Sequence, residues 1–184
     1  MRVITGTAKG KRLKTPEGLR TRPTADRVKE AVFSAVQFEI QNSRFLDLFA
    51  GSGQMGIEAL SRGASFAVFV DAGREACRLV QENLQLTGFE KVSQVIQSDY
   101  MAYLERSHER FDMIFLDPPY AEVFLENSLK KISEIDILTD CGIIICERPA
   151  DKPLDMDIPG LRRCKDYRYG KSWITIFRKA SANA

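Results

Sequence analysis

Histidine is almost missing from this sequence. Of 184 residues only His108 carries an imidazole, and it stands in the polar run Ser107-His108-Glu109-Arg110, which reads as a solvated loop. No Ser–His or Cys–His nucleophile can be assembled from that inventory. Cysteine is sparse too: Cys77, Cys141, Cys146 and Cys164 form no C-x-x-C pair and have no histidine at ligand spacing, so no metal site is expected. Reduced, mostly buried thiols are the expectation. No apolar run approaches the roughly 20 residues of a membrane-crossing helix. The start, Met1-Arg2-Val3-Ile4-Thr5-Gly6, lacks the apolar centre of a secretory signal. A cytoplasmic location, without membrane attachment, follows by default. Internal repeats, low-complexity blocks and interdomain linkers are also lacking, so a single domain over 1–184 is expected, long enough to bury a core without staples.

Charge is present but unevenly placed. The net charge is +2, yet before Glu30 nine Lys and Arg face only Glu17 and Asp26, which leaves +7 there and −5 for all that follows. Lys9, Lys11, Arg12 and Lys14, with Arg20 and Arg22, form a basic arm of the kind that binds a polyanion. The alternative is a solvated, loosely ordered terminus. The turn signature Thr15-Pro16-Glu17-Gly18 closes the arm, whose short β-like pieces suggest a small hairpin. A helix follows, with Thr24 as its N-cap and Val28, Ala31, Val32, Ala35 and Val36 on one apolar face.

From Phe45 onward strands and helices alternate. Strands are expected at the run up to Asp47, at Phe66–Asp71, Lys91–Gln97, Phe111–Asp117 and Gly142–Glu147. Helices are expected from about Met55, at Arg74–Thr87 (stopped by Gly88), at Tyr100–Arg106 and at Val123–Ile135. That alternation predicts an α/β fold with right-handed βαβ crossovers and a parallel sheet covered on both faces. After a proline-broken stretch, Arg162–Tyr169 and Ser172–Phe177 flank Gly170-Lys171 and predict an antiparallel hairpin at the sheet edge. The bounds that follow are a basic extension over 1–23, a core over 24–179 and a frayed tail over 180–184.

The first strand runs into Asp47-Leu48-Phe49-Ala50-Gly51-Ser52-Gly53-Gln54-Met55-Gly56. The glycines satisfy G-x-G-x-x-G, and Asp71 lies 20 residues after Gly51, where a ribose would be gripped. A dinucleotide enzyme is the commonest owner of such a turn. Asp47 argues against it, because a carboxylate just before the turn repels a phosphate and attracts a sulfonium or ammonium. Asp71, Asp99 and Asp117 also follow expected strands, and strand carboxyl ends line one crevice. Loop acids are common, but four at strand ends suit a cationic ligand that carries a ribose.

Asp117-Pro118-Pro119-Tyr120 follows the fourth strand. Two prolines stiffen the chain into an extended corner. A carboxylate, a carbonyl and an aromatic ring held in fixed relation suit a planar amine. Taken with the glycine turn, Asp71 and Asp99, this motif resembles the class I S-adenosylmethionine-dependent methyltransferases that act on an exocyclic nucleobase amine. More narrowly, the chain resembles the bacterial 16S ribosomal RNA guanine-N2 methyltransferases of the D family. Gly6 to Leu13 (G-x-x-x-G-x-x-L), Arg22-Pro23-Thr24-x-Asp26-Arg27-Val28 and Tyr169-Gly170 carry that likeness.

The resemblance implies a Rossmann-like fold with about seven strands, S-adenosylmethionine as cofactor, and 16S rRNA or the small ribosomal subunit as partner, acted on by a monomer without a metal. It implies that Asp47, Phe49, Ala50, Gly51, Ser52 and Gly53 hold the methionine portion, Asp71 the ribose and Asp99 the adenine amino group. Asp117 and the Pro118 carbonyl would hold guanine N2, with Pro119 stiffening the corner and Tyr120 stacked on the base. Three alternatives remain open: a DNA adenine-N6 methyltransferase, a nicotinamide-dependent oxidoreductase and a non-catalytic RNA-binding factor.

Overall fold

A computed structural model of the chain describes residues 1–16, 23–119, 122–151, 154 and 157–180. Arg20, Arg22, Tyr120 and the tail from 181 onward lie outside the described residues. Twelve elements follow in order: α1 (Pro23–Ala35), β1 (Arg44–Asp47), α2 (Gln54–Ser61), β2 (Phe66–Asp71), α3 (Arg74–Thr87), β3 (Ser93–Gln97), α4 (Tyr100–Arg106), β4 (Phe111–Leu116), α5 (Glu122–Ile135), β5 (Leu138–Pro149), β6 (Leu161–Tyr169) and β7 (Ser172–Lys179). They build one seven-stranded sheet in the order β3-β2-β1-β4-β5-β7-β6. The first five strands are parallel, and β7 runs antiparallel to both β5 and β6.

Period-two alternation explains why the central strands are apolar throughout. Phe45, Phe69, Phe115 and Ile145 face one core, with Val32 and Phe33 of α1, Ile57 of α2 and Val80 and Leu84 of α3. Leu46, Val68, Ile114 and Ile144 face the other, with Leu104 of α4 and Leu125, Leu129 and Ile132 of α5. A strand buried on both faces has no polar side to show.

Several expectations need correction. α1 starts at Pro23, which suits the first helical position because its missing N–H has no partner there anyway. Thr24 therefore lies inside the first turn and is not the cap. β3 begins only at Ser93, after a 3₁₀ turn over Glu90–Val92. β5 is twice the expected length: its start, Leu138, pairs with Phe111 of β4 before a register irregularity, and its end is carried on to Pro149 by pairing with β7. Cys77 and Cys146 are buried, whereas Cys141 is exposed and Cys164 is half-buried; all four are free thiols. No described helix is long and apolar enough to cross a membrane.

The amino-terminal segment is no loose arm over its described residues. A single antiparallel bridge, Arg2 to Arg12, closes it, so the expected hairpin is reduced to its smallest form. Val3, Ala8 and Leu13 are buried in the core shared with α1 to α3. Beneath it lies an ionic network. Glu58, fully buried, accepts from the Ile4 and Thr5 amides at 2.8 and 3.0 Å and from Arg62 Nε at 2.9 Å. Lys29, 1% exposed, donates to the Arg2 carbonyl at 2.6 Å and lies 3.6 Å from the same carboxylate. Burial lowers the Lys29 pKa, and Glu58 opposes that shift. Both charges are paired, as buried charges must be.

Candidate active site at the carboxyl edge of the sheet

Five neighbouring strands each carry an acid at, or within two residues of, their carboxyl ends. Across the order β3-β2-β1-β4-β5 these are Asp99, Asp71, Asp47, Asp117 and Glu147. Four were singled out in the sequence. Glu147 was not, although the expected fifth strand ended on it, because no motif surrounds it.

The acids do different jobs. Asp47 closes β1 and is only 2% exposed. Its carboxylate lies beneath the glycine turn and accepts the Gly56 amide of α2 at 3.1 Å. Burial pushes its pKa up to about 7, with the Gly56 hydrogen bond opposing and the charge of Asp71 adding to the rise. Asp71 closes β2 and accepts from the Gly51 amide at 2.9 Å with one oxygen and from the Gly73 amide at 2.8 Å with the other. Each of its oxygens keeps a second lone pair for a hydroxyl. Asp99 caps α4, with Oδ1 accepting from the Met101 and Ala102 amides at 2.9 and 3.2 Å. Such a cap is worth about 1 kcal/mol, and Oδ2 is left open to solvent.

Asp117 follows β4 directly, beside Pro118 and Pro119. Desolvation in the crevice, then Glu147, then Asp47 raise its pKa. The residue nonetheless reaches solvent at the rim. Glu147 is likewise raised by burial and hydrogen-bonds Ser172 on β7. Asp117 thus feels the charges of Asp47 and Glu147, the acids of the strands on either side of β4.

The glycine turn fits a ligand. Gly51 and Gly53 have φ of 54° and 76°, a left-handed conformation that other residues adopt only with strain. A Cβ added at Gly51 would meet nothing within 4 Å; the chain there borders open space. At Gly56 a Cβ would come 2.3 Å from the Phe69 ring, so the third glycine serves close helix–strand packing. Ser52 is buried, Ala50 is buried and Phe49 is half-buried. A hollow of about 640 Å³ opens on the α3 side of Gly51, lined by Lys14, Thr15, Glu75, Arg78 and Glu82 among others. It includes none of the five acids and flanks their crevice.

Sequence reasoning missed an aromatic cluster beside the crevice. The Tyr100 ring lies 5.2 Å from that of Phe49 and 5.5 Å, edge-on, from that of Phe124. The position of Tyr100 next to Asp99 was the available signal. It also missed Asn83, a buried residue of α3. Asn83 accepts the Lys14 amide at 2.7 Å and donates to the Lys14 and Ser52 carbonyls at 3.0 and 2.9 Å, stitching the basic segment to the glycine turn. Of the proposed RNA contacts, Lys11 donates to the Leu86 and Thr87 carbonyls at the end of α3, and Lys14 pairs with Glu82 at 2.8 Å. Lys9 and Arg12 are exposed.

Comparison with known proteins fits this geometry. The family model described as conserved hypothetical protein 95 matches residues 1–178. A Bacillus subtilis protein named "Putative rRNA methyltransferase YlbH" is 40% identical over 182 residues, 97% of this chain and 99% of its own length. Ribosomal RNA small subunit methyltransferase D of Haemophilus influenzae is 34% identical over 157 residues, 84% of this chain and 81% of that protein. Among solved structures, "Putative methyltransferase yhhF" from Escherichia coli superposes with a TM-score of 0.88 at 29% identity, covering 97% of each chain. With a family model spanning nearly every residue and curated relatives matched over most of their length, the chain belongs to the family that contains ribosomal RNA small subunit methyltransferase D.

Proposed function

We propose that this protein transfers a methyl group from S-adenosylmethionine to the exocyclic N2 of a guanine in 16S ribosomal RNA. The observation that carries the reading is the position of Asp117. It stands on a diproline corner at the end of a central strand, in electrostatic contact with Asp47 beneath the glycine turn and with Glu147 beyond it. A methyl acceptor held by Asp117 would therefore lie beside a ligand held by the turn.

S-adenosylmethionine would supply an electrophilic methyl on a positively charged sulfur. The open face of Gly51 and the turn to Gly53 would hold its methionine portion. The spare lone pairs of Asp71 suit the ribose hydroxyls, and the free oxygen of Asp99 suits the adenine amino group. Asp47 would favour the positive charge from below. These are carboxylates at the place where a dinucleotide would bring phosphates, which disfavours an oxidoreductase.

Asp117 and the Pro118 carbonyl would accept the two N–H groups of the guanine amine. Those hydrogen bonds favour a pyramidal nitrogen, whose lone pair is then withdrawn from the ring and free to attack. Orientation of this kind contributes about 7–11 kcal/mol in favourable cases. Passage of the methyl from sulfur to nitrogen would break the carbon–sulfur bond, leave a neutral thioether and put the positive charge on nitrogen, which must then lose a proton. Asp117 is the adjacent acceptor, and its raised pKa suits that task. The target base has to leave its stack, at a cost of a few kcal/mol that is least in loops. Exposed cations beside the crevice would offset that cost through phosphate contacts.

The deciding experiment is methyl transfer from labelled cofactor onto unmodified small subunits and onto free 16S RNA, followed by nucleoside analysis. N2-methylguanosine is the expected product. Label on another base or another atom, or none on either substrate, overturns the reading.

A further inference from the structure

The carboxy-terminal hairpin carries a charge that the active site does not use. Residues 161–179 hold seven Lys and Arg against the single acid Asp166, whereas residues 30–160 hold 11 against 22 acids. The basic character of the chain is thus concentrated in two flanks rather than in one arm. The two lie on opposite sides of the crevice. The amino-terminal segment is bound to α2, α3 and the glycine turn, and the hairpin extends the sheet beyond β5.

Pairing fixes where the hairpin tip stands. Ser172 pairs with Pro149 at the carboxyl end of β5, and Tyr169 pairs with Ser172. Ser172 also hydrogen-bonds Glu147, the acid that neighbours Asp117. The turn between β6 and β7 is therefore on the rim of the catalytic crevice. Some of the hairpin's cations are already engaged: Arg163 with Asp166 at 2.8 Å, Arg178 with Glu39 at 2.7 Å, and Lys179 with Asp136 at 2.6 Å. Arg162, Lys165, Arg168 and Lys171 are exposed and form no ion pair with any described residue. Between Lys165 and the tip, Tyr167 and Tyr169 share one face of β6, half-buried against the core that also holds α1 to α3, with ring centroids 6.3 Å apart and planes inclined at 25°. Arg168 alternates with the two rings and so stands on the other face of β6, while Lys171 sits in the turn between the faces. Cations without an ion pair among the described residues, on a strand tip that also carries a stacked pair of rings beside a base-modifying crevice, match the chemistry of an unpaired nucleic-acid strand passing over that tip.

We propose that the tip of the β6–β7 hairpin is a second docking surface for the RNA substrate. Arg168 and Lys171 hold phosphates of the unpaired strand that carries the target guanine, and the Tyr167–Tyr169 pair receives a neighbouring base. This inference rests on the RNA-methylation reading above. The amino-terminal segment and the hairpin would then grip the strand on both sides of the base being methylated.

The test uses the full-length protein and a short unstructured RNA, with affinity measured by fluorescence anisotropy across a potassium chloride series. For the double variant R168Q/K171Q the expected result is at least tenfold weaker binding at fixed salt. The salt slope should also fall by about 1.4, since each phosphate contact on a single strand contributes about 0.7. Tyr169→Leu should weaken binding with the slope unchanged. Cofactor affinity by calorimetry should match wild type in both, and the thermal midpoint should match in R168Q/K171Q, which separates docking from folding; Tyr169 also packs on the core, so its variant is compared at a temperature where it is fully folded. If wild type binds and methylates RNA but R168Q/K171Q keeps its affinity and slope, the hairpin assignment fails and the cations only guard an exposed edge strand. If the variant binds free RNA normally yet fails on assembled subunits, the hairpin meets a protein and the RNA assignment is overturned. If wild type itself neither binds nor methylates RNA, the functional reading has failed, and the docking surface falls with it.

Discussion

The acids along the sheet edge and the bases on its two flanks differ in how far they are already committed. Asp47, Asp71 and Asp99 all accept backbone amides: from α2, from two loop glycines and from the start of α4. They build the rim as well as face it. On the flanks, Lys9, Arg12, Arg168 and Lys171 stand exposed, with few ties to the fold. The lesson is that a charge near a site is structural when backbone donors converge on it, and is available to a ligand when they do not. Substitutions at the rim should therefore disturb fold and chemistry together, whereas substitutions on the flanks should change binding alone.

The sharpest break in that comparison is Glu58, a structural charge under a basic flank. Glu58→Ala strands Lys29 and the Ile4 and Thr5 amides in the interior, and should cost about 3–5 kcal/mol in urea unfolding. Asp117→Ala should come next. It is the least committed of the rim acids, so kcat should fall about 10²–10³-fold, the range seen when one preorganised polar contact at a reacting group is lost. Cofactor affinity by calorimetry should stay within a few-fold; undiminished turnover would refute its role. Gly56→Ala forces a methyl into the Phe69 ring and should lower stability by about 1–3 kcal/mol, read as a shift of the thermal midpoint.

Asp47 gives a smaller, pH-dependent effect. With its folded pKa raised to about 7 from 3.8, the folded protein binds more protons than the unfolded chain across that window. Its contribution to stability is thus complete below pH 3.8 and declines as pH rises through 7. A cation bound above it favours ionisation and releases that proton. Affinity for S-adenosylmethionine should accordingly rise about tenfold from pH 6 to pH 8 relative to its neutral demethylated product, and Asp47→Asn should flatten the difference. The mildest change belongs to the amino-terminal flank. Lys9→Gln with Arg12→Gln should weaken RNA binding several-fold and lower its salt slope, while leaving cofactor affinity and the thermal midpoint unchanged.

Much of this arrangement was legible before any coordinates. β2, α3 and α4 fall where period and capping signals placed them, because their boundaries are set locally: Asp71 leading to Gly73, Gly88 in a left-handed cap with φ 82°, and Asp99 on the α4 amides. The carboxyl-edge acids were legible for a related reason. A parallel sheet with right-handed crossovers must bring all its strand ends to one side. β5 was less legible, since its last residues pair with β7, more than 20 residues later, and its first with Phe111 of β4. Glu58 and Lys29 were invisible as partners, because nothing in a helical pattern announces that a charged position faces another segment's backbone.

The sequence by itself determined the strand–turn–helix order, the glycine turn, the diproline corner and the row of acids, all of which follow from local sterics, periodicity and the handedness of the chain. Only the tertiary structure decided which charges are spent on the protein's own backbone. It buried Asp47 under the turn, sealed Lys29 against Glu58, added Glu147 to the rim and carried the carboxy-terminal tyrosines and bases to the edge of the crevice. Desolvation and hydrogen-bond partnership depend on what lies across space, and distance along the chain does not encode that.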